Sequence, residues 1–163
     1  MDTTSVIIGS ILLLLFVGPI LYVIYLQSLK DKKQLKILNE EGARQNLKFD
    51  HTEISNSLLL GLDTREKKLV AIEPDNEYKT TIIDLLHISD SRILKKVIPN
   101  PSSFKDREKI MQVSIELMEA HGVEKKTSQI LFYDEDGRDS EDVGSRLTTA
   151  LKWEKLIKTS LSA

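Results

Sequence analysis

The sequence predicts an α+β protein, mainly β: a membrane-spanning N-terminal helix, a small antiparallel β domain and a closing amphipathic helix. Three observations carry this. Residues 6–26 are almost wholly aliphatic or aromatic, and no charged residue occurs between Asp2 and Lys30. From residue 58 to residue 133, several short runs alternate apolar and polar with a period of two, as half-buried strands do. From residue 143 onward, apolar positions recur at helical spacing.

With 163 residues, part of them in the apolar segment, the chain has room for one modest domain. Its hydrophobic share of 40% and charged share of 29% are those of a folded protein and argue against extensive disorder. A net charge of only −2 argues against nucleic-acid binding by bulk attraction to phosphate. Cysteine is absent, which excludes disulfides, thiolate metal sites and cysteine nucleophiles and fits a reducing compartment.

The apolar stretch of about 21 residues, at 1.5 Å each, gives roughly 31 Å of helix against the ~30 Å hydrocarbon core. It has no polar face, and too little other protein exists to surround it. A cleaved secretory signal fits poorly. No basic residue precedes the run, the run is longer than a signal's apolar core, and no small-x-small site follows at Tyr25-Leu26-Gln27-Ser28-Leu29-Lys30. Gly18-Pro19 predicts a bland kink, since both residues are common in membrane helices. Gly9, Ser10 and Gly18 do not form a GxxxG pair, so helix dimerisation has weak support. Residues 1–29 are therefore expected to be a retained anchor.

Orientation follows from the flanks. Lys30, Lys32, Lys33 and Lys36 follow the helix, offset by Asp31 alone, whereas only Asp2 precedes it. Lysine excess marks the cytoplasmic side, and Tyr22 and Tyr25 suit the boundary. The expectation is single-pass, N-terminus out and soluble domain in, at the inner membrane if the source is bacterial. Residues 30–46 then predict a charged juxtamembrane helix, with Lys36–Glu40 and Glu40–Arg44 at i,i+4. Leu35 and Leu38 give it a narrow apolar stripe, and Gly42 weakens or ends it. It serves either as a solvated spacer or as a lysine contact for anionic lipid, worth ~1 kcal/mol per lysine near a charged surface.

The soluble domain is expected over residues 47–163. Leu58, Leu60 and Leu62 alternate, and residues 69–72 resume a β-rich run after the polar segment 63–68, which predicts a hairpin. Pro74-Asp75-Asn76 supplies a turn. Residues 78–86 and 92–98 predict the next strands, closed by the loop 99–103. Met111, Val113, Ile115 and Leu117 alternate with polar neighbours in a strand with one wet face. A turn at His121-Gly122, a strand over 129–133 and a loop over 134–140 follow. Asp139 or Ser140 is expected to cap the last helix, with Glu141 and Asp142 at its positive end. Its stripe is Val143, Leu147, Ala150, Leu151, Ile157 and Leu161, with Trp153 at the edge and Glu154 interrupting near the middle.

Six or seven antiparallel strands closed by one C-terminal helix resemble the pleckstrin-homology-like domains. The residues that carry this are Leu60-Gly61-Leu62-Asp63 through Lys68-Leu69-Val70-Ala71-Ile72, then Ile83-Asp84-Leu85-Leu86-His87-Ile88, Ile130-Leu131-Phe132-Tyr133-Asp134, and the helix with Ala150 and Trp153. The chain is most similar in organisation to small bacterial single-pass membrane proteins with such a domain. The resemblance implies an antiparallel β-sandwich or partial barrel capped by the final helix, and it brings no activity with it.

No constellation for catalysis emerges. In an EF-hand reading of Asp134-Glu135-Asp136-Gly137, position 1 falls on Phe132 and position 12 on Val143, neither of which can chelate. His51, His87 and His121 belong to no HxH or HExxH pattern. No GxSxG elbow and no phosphate-cradling glycine loop is present. Catalytic residues, metal and cofactor are each expected to be none. Some domains of the resembled family grip inositol phosphates with basic residues of the first hairpin. Arg65, Lys67 and Lys68 stand there, interleaved with Asp63 and Glu66 as in a solvated turn.

The expected function is a non-enzymatic, membrane-tethered interaction module, because a tether makes even weak contacts effective beside the bilayer. Its partner is an unknown membrane or cytoplasmic protein. Two alternatives stand: anionic-lipid binding through Lys30, Lys32, Lys33, Lys36, Arg65, Lys67 and Lys68, or an accessory subunit of a larger membrane complex held through its transmembrane helix.

Overall fold

The computed structural model describes residues 3–74, 78–97, 109–119, 127–136 and 142–162, with side chains of the first helix described from Leu12 onward. Helix α1 runs from Thr3 to Arg44 without a break and carries Pro19 inside it. The expected anchor and juxtamembrane helix are thus one helix. Proline removes a single backbone donor, and the good helix formers that follow keep the ladder going. Gly42 does not end it. The stop comes at Asn46, in the left-handed conformation (φ 55°). There the Leu47 N–H donates to Gly42 O at 2.8 Å and the Asn46 N–H to Ala43 O at 3.2 Å. This is a Schellman closure with asparagine in the place glycine usually takes.

The chain divides into two compact units, Met1–Ile37 and Leu38–Ala163. The second unit takes in the last turns of α1, where Leu38 is fully buried. Its described residues form seven strands: β1 (His51–Ile54), β2 (Leu59–Asp63), β3 (Lys68–Glu73), β4 (Lys79–Asp84), β5 (Ile88–Val97), β6 (Ile110–Glu119) and β7 (Thr127–Asp134). A 3-10 turn, Leu85–His87, joins β4 to β5, and helix α2 (Val143–Ser162) closes the chain. The strands form two antiparallel sheets in simple sequence order, β1-β2-β3-β4 and β5-β6-β7.

Differences from the sequence reading are local. Strand β1 escaped it, being four residues long with no alternation strong enough to see. The strand expected over 78–86 is shorter, because Asp84 accepts from the Leu86 N–H and starts the 3-10 turn. The strand expected from Arg92 begins at Ile88. The turn at Asp75-Asn76, the 99–103 loop, His121-Gly122 and the candidate caps Asp139 and Ser140 lie outside the described residues. The observed N-terminal cap of α2 is Asp142, whose carboxylate accepts from the Ser145 N–H at 3.1 Å.

The main core lies between the sheets and α2. Leu60, Leu62, Leu69, Ala71 and Ile83 come from the first sheet, Val113, Ile115, Leu117, Ile130 and Phe132 from the second, and Ala150, Trp153 and Ile157 from α2. Register explains the set: Leu60 stands opposite Ala71, Leu62 opposite Leu69, and Leu69 opposite Ile83, so they share one face. On β7 the period breaks. Val113 pairs with Tyr133 and Ser114 with Leu131, leaving Phe132 as the extra residue of a bulge. Both Phe132 and Tyr133 thereby reach the core.

The opposite face of the first sheet is covered as well. Leu59, Val70 and Ile72 are buried there, at 0–1% exposure. The Phe49 ring is the filler: a Cβ at Gly61 of β2 would meet it at 2.8 Å, and one at Gly42 of α1 at 2.6 Å. Phe49 is thus clamped between helix end and strand. Both glycines are required because no side chain fits beneath the ring.

Candidate functional site

An extended apolar surface is exposed on α1. Leu12, Leu13, Leu14, Leu15, Phe16 and their neighbours to Leu26 are exposed, Phe16 to 78%. None of the apolar window is buried, and the helix is long and apolar enough to cross a membrane. Exposing so much apolar area to water is unfavourable at ~25 cal/mol per Å².

Lys30, Lys32, Lys33 and Lys36 continue the same helix and all are exposed. At about 100° per residue they occupy an arc of roughly 160°. The 1.5 Å rise puts Lys30 about 6 Å and Lys36 about 15 Å beyond Leu26.

Arg65, Lys67 and Lys68 lie together at the β2–β3 hairpin, in the second unit. Carboxylates organise this turn. Asp63, only 3% exposed, accepts from the backbone N–H groups of Lys48 at 2.7 Å and of Arg65 and Glu66 at 3.0 Å. Burial opposes ionisation of Asp63, but the donors of Glu66, Lys48 and Arg65 outweigh it and hold the carboxyl below its ordinary value of 3.8. Asp50 takes both the hydroxyl and the N–H of Thr64, and these bonds lower its pKa too. Lys67 has a left-handed backbone (φ 49°) and gives its carbonyl to the Leu85 N–H. Lys68 stands in register between Asp63 and Asp84. Arg65 therefore has Asp50 nearby, and Lys68 has Asp63 and Asp84 as its cross-strand neighbours.

A shallow groove of about 300 Å³ crosses the outer face of the second sheet, lined by Leu94, Lys95, Lys96, Gln112, Ser114 and Gln129. Gln129 donates to the Ser114 hydroxyl at 2.6 Å. The lining offers amides, one hydroxyl and two ammonium groups, with no carboxylate or imidazole to act as base. His51 and His87 are exposed, and His121 lies outside the described residues. Among the described residues, no three potential ligands gather to hold a metal ion.

Sequence reasoning missed the buried polar residues of α2. Arg146 is 2% exposed and donates to the Ser57 hydroxyl at 3.4 Å, tying the helix to the β1–β2 turn. Trp153, expected at the stripe's edge, is fully buried, and its indole N–H donates to Glu53 on β1 at 3.3 Å. The buried line is Arg146, Ala150, Trp153, Ile157 and Ser160. That rotation places Leu151 outside at 50% exposure and Glu154 at the margin, where it pairs with Lys158 at 2.9 Å. The signal was available: positions 146, 150, 153 and 157 keep helical spacing, but arginine and serine do not register as apolar.

No protein-family model, curated protein or solved structure matches the chain. The class its own features define is a β-rich domain carried on a long apolar helix.

Proposed function

We propose that the chain is a single-pass membrane protein whose second unit is a pleckstrin-homology-like, non-enzymatic interaction module on the cytoplasmic side. The observation that carries this is the unburied apolar surface of α1, which hydrocarbon satisfies and water does not. Lysines follow that surface at once, and cytoplasmic flanks are lysine-rich. Four strands, then three, then a closing helix support kinship with pleckstrin-homology-like domains. Tethering confines the domain near the bilayer, so its contacts act at high effective concentration.

Protease treatment of intact cells tests this. The domain is expected to resist until the membrane is permeabilised, while the full chain stays in the membrane fraction after alkaline extraction. Digestion from outside overturns the orientation, and recovery in the soluble fraction overturns the anchor.

The continuity of α1 favours one further role for the same segment. The lysines ride on the helix itself, within about 6–15 Å of its apolar end, close to the headgroup layer. Contact of Lys30, Lys32, Lys33 and Lys36 with anionic lipid follows from that height. In the hairpin, the carboxylates beside Arg65 and Lys68 weaken any such contact there.

A further inference from the structure

Sheet edges expose unpaired backbone groups, and proteins usually blunt them with charge, proline, bulges or brevity. Three edges here are blunted. β1 is four residues long, β5 carries Arg92, Lys95 and Lys96 with two register breaks, and β7 has its bulge. Among the described residues, β4 is the exception. Its pairing with β3 runs without a shift, and between Lys79 and Asp84 stand only Thr80, Thr81, Ile82 and Ile83. Four β-branched residues form a flat, uncharged edge, with Thr80, Thr81 and Ile82 exposed.

The free backbone groups can be assigned. The Leu85 N–H donates to Lys67 O at 2.8 Å, in line with the Ile83–Leu69 pair, so odd-numbered residues of this strand face β3. By alternation, the N–H and C=O groups of Thr80, Ile82 and Asp84 point to the open edge. We propose that this edge pairs with the same edge of a second copy, antiparallel, about a two-fold axis at Ile82. An isologous contact requires a self-complementary patch, and β4 is one. Ile82 meets Ile82 of the copy and Thr80 meets Asp84, each a hydrogen-bonded pair.

Side chains agree with the backbone. Val70 stands beside Ile82 on the outer face, so the joined sheets carry an unbroken apolar row: Val70, Ile82, then Ile82 and Val70 of the copy. No like charges stand opposite each other. Of the two registers one step away, one needs Tyr78 as a strand partner of Asp84 and the other needs Leu86 as a partner of Thr80. Tyr78 has φ 57°, outside any strand conformation, and Leu86 lies in the 3-10 turn, so each register loses two of its pairs. The pairing uses only residues of the second unit and does not depend on the membrane reading.

A contact of this size lies at the small end of specific interfaces, so trapping is the suitable measurement. The chain has no cysteine, and single replacements can be read without background. Hydrogen-bonded opposite residues have Cα atoms about 5.5 Å apart, within disulfide reach. Two Thr81 residues would be offset by two positions, roughly 8 Å apart, beyond it. Under mild oxidation of the full chain in native membranes, Ile82→Cys is expected to give at least a several-fold larger fraction of disulfide-linked dimer than Thr81→Cys. Equal linking at both positions, as a dimer held through α1 alone would give, overturns the proposal. So does preferential linking of Thr81→Cys, or none at either.

Discussion

Asp63 shows how much one buried carboxylate organises. It accepts three backbone N–H groups that would otherwise point at nothing, joining residue 48 to the β2–β3 turn. Replacing it with alanine leaves those donors unmet, and a loss of about 3 kcal/mol is expected. The pH dependence has a definite sign. The folded-state pKa lies below the ordinary 3.8, so the stabilisation is present above about pH 4 and is lost as pH falls through the folded value. Chemical denaturation of the full chain, followed by fluorescence of its single tryptophan, is expected to show this acid loss. An Asp63→Asn variant is expected to start less stable at neutral pH and to change less between pH 5 and 3. Identical slopes would deny Asp63 this role. Sequence alone showed Asp63 only as one member of a polar turn, because its donors come from residues 48, 65 and 66, and only folding brings the first of these near.

At the scale of elements, α2 is the clearest case of a helix legible in kind but not in rotation. Its apolar period announces a helix, yet Leu151 is half exposed and Trp153 fully buried. The sheets, not the helix, chose this face: Glu53 and Ser57, both beyond the helix's own sequence, receive the Trp153 indole and the Arg146 guanidinium. Ile157→Ala is expected to cost about 3 kcal/mol, whereas Leu151→Ala is expected to stay within about 0.5 kcal/mol of the parent. Tryptophan-monitored denaturation measures both. If Leu151→Ala proved the costlier change, the rotation of α2 would be wrong. Strands were legible where one face is wet, as in β6. β2 was half legible: its alternation of leucines is plain, but Leu59 and Gly61 are buried on the second face by chain elements distant in sequence.

At the scale of the whole molecule, the two units differ in the surface they present. α1 exposes the kind of surface that globular domains bury, and the second unit buries its own. If the lysines after the apolar segment lie at the headgroups, their amines should be shielded there. In proteoliposomes of the full chain, labelling of Lys30, Lys32, Lys33 and Lys36 by an impermeant amine reagent is expected to fall several-fold when anionic lipid replaces zwitterionic. That protection should largely vanish in high salt, since the Debye length shrinks to ~3 Å at 1 M. Labelling indifferent to lipid charge would leave the segment a spacer.

Composition and order along the chain settled the kinds of element: an uncharged run of membrane length, alternating strands, one closing helix. These follow from local rules of period and hydropathy, which act within a dozen residues and are written in the sequence directly. Tertiary structure alone decided that α1 is one helix ending inside the second unit, that Phe49 needs two glycines, and that no described residue pairs with the outer edge of β4. Each of these depends on which distant residues fold against one another, and packing between distant segments leaves no periodic trace in either of them.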